Sequence, residues 1–165
     1  MFNAGEKIIY GVNGVCTIAD IEKKNFTGTE ELYYVLKGDN SHQVIYIPVN
    51  NTSLTSKMRR VLTKEDALSF IDAMPSIACA EWQEENRRRA EHFKKILSDG
   101  TRDEIWGVVK SIDKKRSDML ENGKKLYLSD ENIYKRAQKL IYDELAYALD
   151  KSFEELESLI YSPIG

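Results

Sequence analysis

Two hydrophobic periods divide the chain. Through about residue 63, apolar residues come in short β-branched and aromatic runs bounded by turn residues: Ile8–Tyr10, Val15–Ile21, Leu32–Leu36 and Val44–Ile47. Such runs read as strands. Gly38-Asp39-Asn40-Ser41 reads as the tight reversal of a hairpin, because Gly, Asp and Asn tolerate left-handed backbone angles. Gly11, Gly14 and Gly28 punctuate the earlier strands, and Met58–Leu62 is placed to close the sheet as a fifth. From Thr63 the apolar spacing lengthens to about 3.6 residues, the helical period.

The helical half resolves into segments. Thr63 precedes Glu65 and Asp66 as a cap with an acidic first turn, and Pro75 ends that first helix. A second helix is expected from about Ala80 to Leu97, ending at Ser98-Asp99-Gly100. Thr101 caps a third, carrying Ile105, Val108, Val109 and Ile112, followed by a polar loop over 117–125. Ser129 is expected to cap a long helix through Leu149, and Ser152 with Glu155 opens a short final one. The predicted fold is therefore β + α in two domains. Residues 1–63 form a small SH3-like or Tudor-like antiparallel barrel, and 64–165 an all-α bundle of about five helices with a linker at about 74–80.

The 165 residues allow one ordinary domain or two small ones, and 42% hydrophobic against 31% charged residues can bury a core. The net charge of −3 announces neither a globally basic nucleic-acid binder nor an acidic solvating tail. Cys16 and Cys79 belong to no Cys/His cluster and read as buried free thiols of a reducing cytosol. With no signal peptide and no long apolar run, the expected location is cytoplasmic, away from membranes.

Little here could carry catalysis. His42 and His92 are the two histidines and read as solvated surface groups. There is no GxxxxGK[ST], GxGxxG or GxSxG, and adjacent acid pairs such as Glu84-Glu85 diverge by about 100° on a helix. The reading is a non-enzyme with no catalytic residue, metal or cofactor. Charge, by contrast, is uneven. Arg87-Arg88-Arg89, Lys94-Lys95, Lys114-Lys115-Arg116, Lys124-Lys125 and Lys135-Arg136 supply a basic region, whereas 141–165 sets six carboxylates against Lys151 alone. Basic runs are commonly solvated helix faces, yet several can converge on a phosphate backbone. Trp82, among Glu81, Gln83, Glu84 and Glu85, is either a staple packed on the bundle or an exposed wedge; Trp106, beside Ile105, Val108 and Val109, is a core residue.

Phe2–Gly14, Ile21-Glu22 with Gly28, Tyr33–Leu36 and Ile47–Val49 form one ordered set of motifs in the first half. In the second half a Trp follows a Pro-containing linker, and the Ser-Asp-Gly loop, Leu128-Ser129 and Ala137–Ala146 come after it. In this order and spacing the motifs resemble the CarD/CdnL family of bacterial transcription regulators. The resemblance implies that the barrel binds the RNA polymerase β subunit through a sheet edge, at Ile45, Tyr46 and Ile47 with Lys24. It implies that the helical half contacts promoter DNA in the minor groove through Trp82, with Arg87, Arg88, Arg89, Lys124 and Lys125 as the basic contacts. Such a monomer stabilises the open promoter complex, binds DNA weakly and without sequence preference when free, and gains local concentration by tethering. The sequence departs from the family pattern in Gly11-Val12-Asn13, in Gln83-Glu84-Glu85 after the Trp, and in Tyr46, which carries no charge. The competing reading is a non-enzymatic adaptor whose barrel edge takes another protein, with the helical half as scaffold or dimerisation element.

Overall fold

A computed structural model describes residues 1–39 and 42–161. The chain separates into two compact units with the boundary between Val61 and Leu62. The first is an antiparallel sheet of β1 (Lys7–Tyr10), β2 (Val15–Lys24), β3 (Glu31–Gly38), β4 (Val44–Pro48) and β5 (Met58–Arg60), in the order β4-β3-β2-β1-β5. A short helix, α1 (Thr52–Thr55), precedes β5, and Asn51 caps it by accepting from the Leu54 N–H at 3.1 Å. Every predicted strand is present. Asn40 and Ser41 of the expected reversal lie outside the described residues.

Ile8, Cys16, Ile18, Tyr34, Leu36, Ile47 and Met58 meet in one buried cluster, drawn from all five strands. A bulge between Ile18 and Asp20 bends β2. The amino-terminal segment closes against that bend: Gly5 N–H donates to the Ile18 carbonyl at 2.6 Å, and Ile18 N–H to the Glu6 carbonyl at 2.9 Å.

The second unit holds α2 (Lys64–Ala73), α3 (Asn86–Asp99), α4 (Arg102–Glu121), α5 (Leu128–Leu149) and α6 (Phe153–Tyr161). Phe70, Phe93, Leu97, Trp106, Val109, Ile112, Ile133, Ile141, Tyr142 and Leu145 are buried together between them. Thr63 caps α2 by accepting from Asp66 N–H, and Thr101 with Glu104 forms a reciprocal capping box on α4. Ser152 accepts from Glu155 N–H at 3.1 Å at the start of α6.

Four expectations need correction. The helix expected from Ala80 begins only at Asn86, because the backbone before it bonds elsewhere: Ala80 N–H donates to the Gly107 carbonyl at 2.9 Å, and the Arg89 side chain takes the Gln83 and Glu84 carbonyls. The polar loop expected over 117–125 is helical through Glu121. Its polar residues form the solvated face of α4, which stops where Gly123 (φ 69°) and Lys124 donate back to Leu120 and Met119 in a Schellman turn. Ser129 lies inside α5 and does not cap it; Tyr127 holds the cap position without a side-chain bond. Cys79 is exposed, whereas Cys16 is buried.

The stretch 74–80, expected as a linker, belongs to the helical unit and is pinned to α4. Lys110 Nζ donates to the carbonyls of Met74, Pro75 and Ile77. A Cβ at Gly107 would stand 2.7 Å from the Ala78 oxygen, so glycine is what lets this backbone lie on the helix. These contacts settle the chain that leads into Trp82.

Candidate functional site

On the sheet unit, β4 is an edge: β3 flanks it on one side, and no strand of the described residues pairs with the other. Its residues alternate. Tyr46 is 40% exposed, Val44 is also exposed, and Ile45 is half-buried, whereas Ile47 is in the core. Ile47, expected on the polymerase-binding edge, has its side chain in the core and so offers a partner only its backbone. Tyr46 does not stand alone. Phe26, 59% exposed in the turn between β2 and β3, meets Tyr33 and Tyr46 edge-on, each with ring centroids 5.2 Å apart. Lys24 sits at the end of β2, where its bond to Glu22 at 3.1 Å raises its pKa. The surface therefore presents an aromatic cluster with one paired cation beside an open strand, the geometry that accepts an extended partner segment.

In the helical unit, Trp82 lies in the extended segment between the turn at Met74–Ser76 and α3. It is half-buried and packs against the core, with its ring edge-on to Phe93 at 6.0 Å. Arg89 covers the indole, its guanidinium carbon 4.2 Å from the ring centroid, and Lys115 Nζ lies 5.5 Å from the same centroid.

Arg89 is 2% exposed. Its Nε and Nη2 donate to the two carboxylate oxygens of Asp130 at 2.9 and 2.7 Å. Nη1 donates to the carbonyls of Gln83 (2.9 Å) and Glu84 (3.3 Å), and Nη2 also to Asn86 Oδ1 at 2.8 Å. All five donors of the guanidinium are spent inside the protein. The expectation that Arg89 contacts DNA is corrected accordingly: it is a clamp on the Trp82 segment, without a donor left for phosphate.

The other basic residues divide. Arg87 and Arg88 are exposed in the first turn of α3, each paired on the surface, with Glu91 at 3.3 Å and Glu85 at 3.1 Å. Arg116, counted in the basic region, is held by Glu131 and Asp113, both at 3.1 Å, and stacks on Tyr134. Lys124 and Lys125 are exposed in the α4–α5 turn. Folding brings Lys115 and Lys124 to one concavity with Trp82; Lys125 is not among its lining residues.

The sequence of the sheet unit matches a family model, that of the CarD-like/TRCF RID domain, over residues 2–62. The amino-terminal unit is thus similar to CarD-like/TRCF RID domains, and the match ends at its boundary with the helical unit. Comparison with curated proteins gives no match. RID domains are non-catalytic interaction domains that engage the RNA polymerase β subunit, so the match supports a polymerase-interacting role. Within this unit the sequence points to Lys24, Ile45, Tyr46 and Ile47 and does not single out Phe26. Its signal was legible: a lone aromatic in the polar turn Asn25-Phe26-Thr27-Gly28, where no core position is available. Among the described residues no helix is long and apolar enough to cross a membrane.

Proposed function

We propose that the protein regulates transcription initiation by docking its RID domain on the RNA polymerase β subunit and stabilising the open promoter complex with its helical unit. The observation that carries the reading is the RID match over an open β4 edge with the Phe26–Tyr33–Tyr46 cluster beside it. Edge pairing supplies backbone hydrogen bonds, and the aromatics supply desolvated area. Because Tyr46 is uncharged and Lys24 already has a carboxylate partner, this interface depends on packing more than on charge.

Trp82 is the wedge in this reading. A half-buried indole on a rigidly held segment loses little entropy when its exposed edge enters an unpaired base step. The Arg89 clamp and the Gly107 contact support that rigidity. Tethering to polymerase supplies the concentration that an acidic protein's weak DNA affinity lacks.

The test has two arms. Full-length protein should capture RNA polymerase, and Phe26→Asp with Tyr46→Asp should abolish capture while the melting temperature holds. Trp82→Ala should retain capture and lose most of the lengthening of open-complex lifetime. Since Trp82 is half-buried, its truncation should cost about 2 kcal/mol, below the roughly 3–5 kcal/mol of a fully buried Trp such as Trp106. Failure to capture polymerase, or a folded Trp82→Ala protein that prolongs open complexes normally, contradicts the proposal.

A further inference from the structure

Trp82 is one wall of a concavity of about 290 Å³ whose other lining residues include Tyr127, Met119, Asn86, Asn122, Lys115 and Lys124. The volume lies at the small end of ligand sites, the scale of one planar ring system. The residues come from four places in the chain: the Trp82 segment, the first turn of α3, the last turns of α4, and the α4–α5 connection. Two aromatic side chains, Trp82 and Tyr127, line this space together with Arg89, which covers part of the indole, and Tyr127 is 55% exposed.

Its polar groups are partly committed. Asn86 gives Oδ1 to Arg89, which leaves its amide N–H₂ as a donor. Asn122 gives its N–H₂ to the Asp118 carbonyl at 2.9 Å, which leaves Oδ1 as an acceptor. A donor pair and an acceptor beside two aromatic rings match the edge and faces of a nucleobase. The charges also sort. Glu84 and Asp118 line the concavity and repel phosphate, whereas Lys115 and Lys124 attract it. A nucleotide therefore enters with its base inward and its backbone on the lysine side.

We propose that this concavity is a capture site for one unpaired nucleobase of single-stranded DNA, stacked by Trp82 and Tyr127. The inference rests on the reading of the helical unit as a DNA-contacting module, and it changes the wedge into half of a receptor. Stabilisation then comes from binding the extruded base as well as from propping the step open, and base identity matters little because every base has a π-face.

The test uses the full-length protein at low salt and forked DNA, a paired stem with two non-complementary arms. Three probes are compared: the fork, the fully paired duplex, and a fork whose first unpaired nucleotides are abasic. The fork should bind about tenfold more tightly than either of the others, the scale of one lost base–aromatic stack. Tyr127→Ala should lose that advantage and bind all three probes alike, with an unchanged melting temperature because the ring is exposed. Tyr127→Phe should restore it. Equal affinity of the wild type for the intact and abasic forks would overturn the proposal, and so would a Tyr127→Ala protein that still prefers the intact fork. These outcomes are separate from those above. If Trp82→Ala shortens open complexes while the wild type binds the intact and abasic forks alike, the wedge stands and the capture site falls. If the forks are discriminated but open-complex lifetimes do not respond, the site stands without the regulatory role.

Discussion

At the residue scale, Arg89 shows how a charged side chain in a basic run becomes internal. Its neighbours Arg87 and Arg88 stand two and one positions before it, about 100° of helix rotation per position, and point to water. Arg89 faces Asp130 in the first turn of α5, where the helix dipole favours a carboxylate. A buried pair with every donor satisfied is tolerable, whereas one partner removed leaves an uncompensated charge. Asp130→Asn should therefore destabilise the helical unit by about 3–5 kcal/mol, measured by thermal melting. In a Trp106→Phe background, where Trp82 is the remaining indole, its emission should also shift to the red as the Arg89 cover loosens. A variant with unchanged stability and emission would mean that the clamp is idle.

At the element scale, the placement of the Trp82 segment depends on α4 being smooth at Gly107. Helix propensity alone favours Gly107→Ala by about 1 kcal/mol. The added Cβ would meet the Ala78 oxygen at 2.7 Å, and that atom is backbone rather than a side chain that can rotate away. The clash should win, with a net loss of about 1–3 kcal/mol and displacement of the segment that carries Trp82. Ser117→Ala on the exposed face of the same helix is the control, expected to be neutral or slightly stabilising. Urea midpoints of the two variants decide, and equal stabilisation by both would show that the segment does not rest on α4.

At the scale of the whole molecule, stability should fall at alkaline pH. Burial pushes the Cys16 thiol up to about 11, with Asp39 adding to the shift, and burial pushes the Tyr161 hydroxyl up to about 12. Tyr142 is raised further by burial and by Tyr161, and its hydroxyl donates to Glu157 at 3.0 Å. Each group keeps its proton in the folded chain at a pH where the unfolded chain has lost it. Their contribution is thus complete below pH 9 and is lost progressively from about 9 to 12. Urea unfolding across that range should show a steady decline, and Cys16→Ala should flatten its first part, between 9 and 11. A stability that is level to pH 12 would contradict the burial of these groups. For DNA, the net charge of −3 leaves only the local basic face to release counterions, so anisotropy should show weak binding that vanishes steeply with salt. Tight binding at high salt would contradict this.

The two periods of apolar spacing by themselves determined the division into sheet and helices, the five strands, most helix ends and the burial of Trp106, because those features are set by local backbone preference and by which face must leave water. The aromatic and glycine pattern of the first sixty residues likewise carried the CarD-like resemblance that the RID match bears out. Tertiary structure decided the rest. It delayed α3 to Asn86, since hydrogen bonds from Ala80 and Arg89 to distant or non-helical partners outcompete a first turn of local ones. It turned Ile47 inward, took Arg89 and Arg116 out of the basic face by pairing them with carboxylates 41 and 15 residues away, and set Phe26 beside Tyr46. It also brought Tyr127, Asn122 and Lys115 to Trp82. A spacing rule reports which face of one element is apolar; it holds no information about which residue of another element will be waiting there.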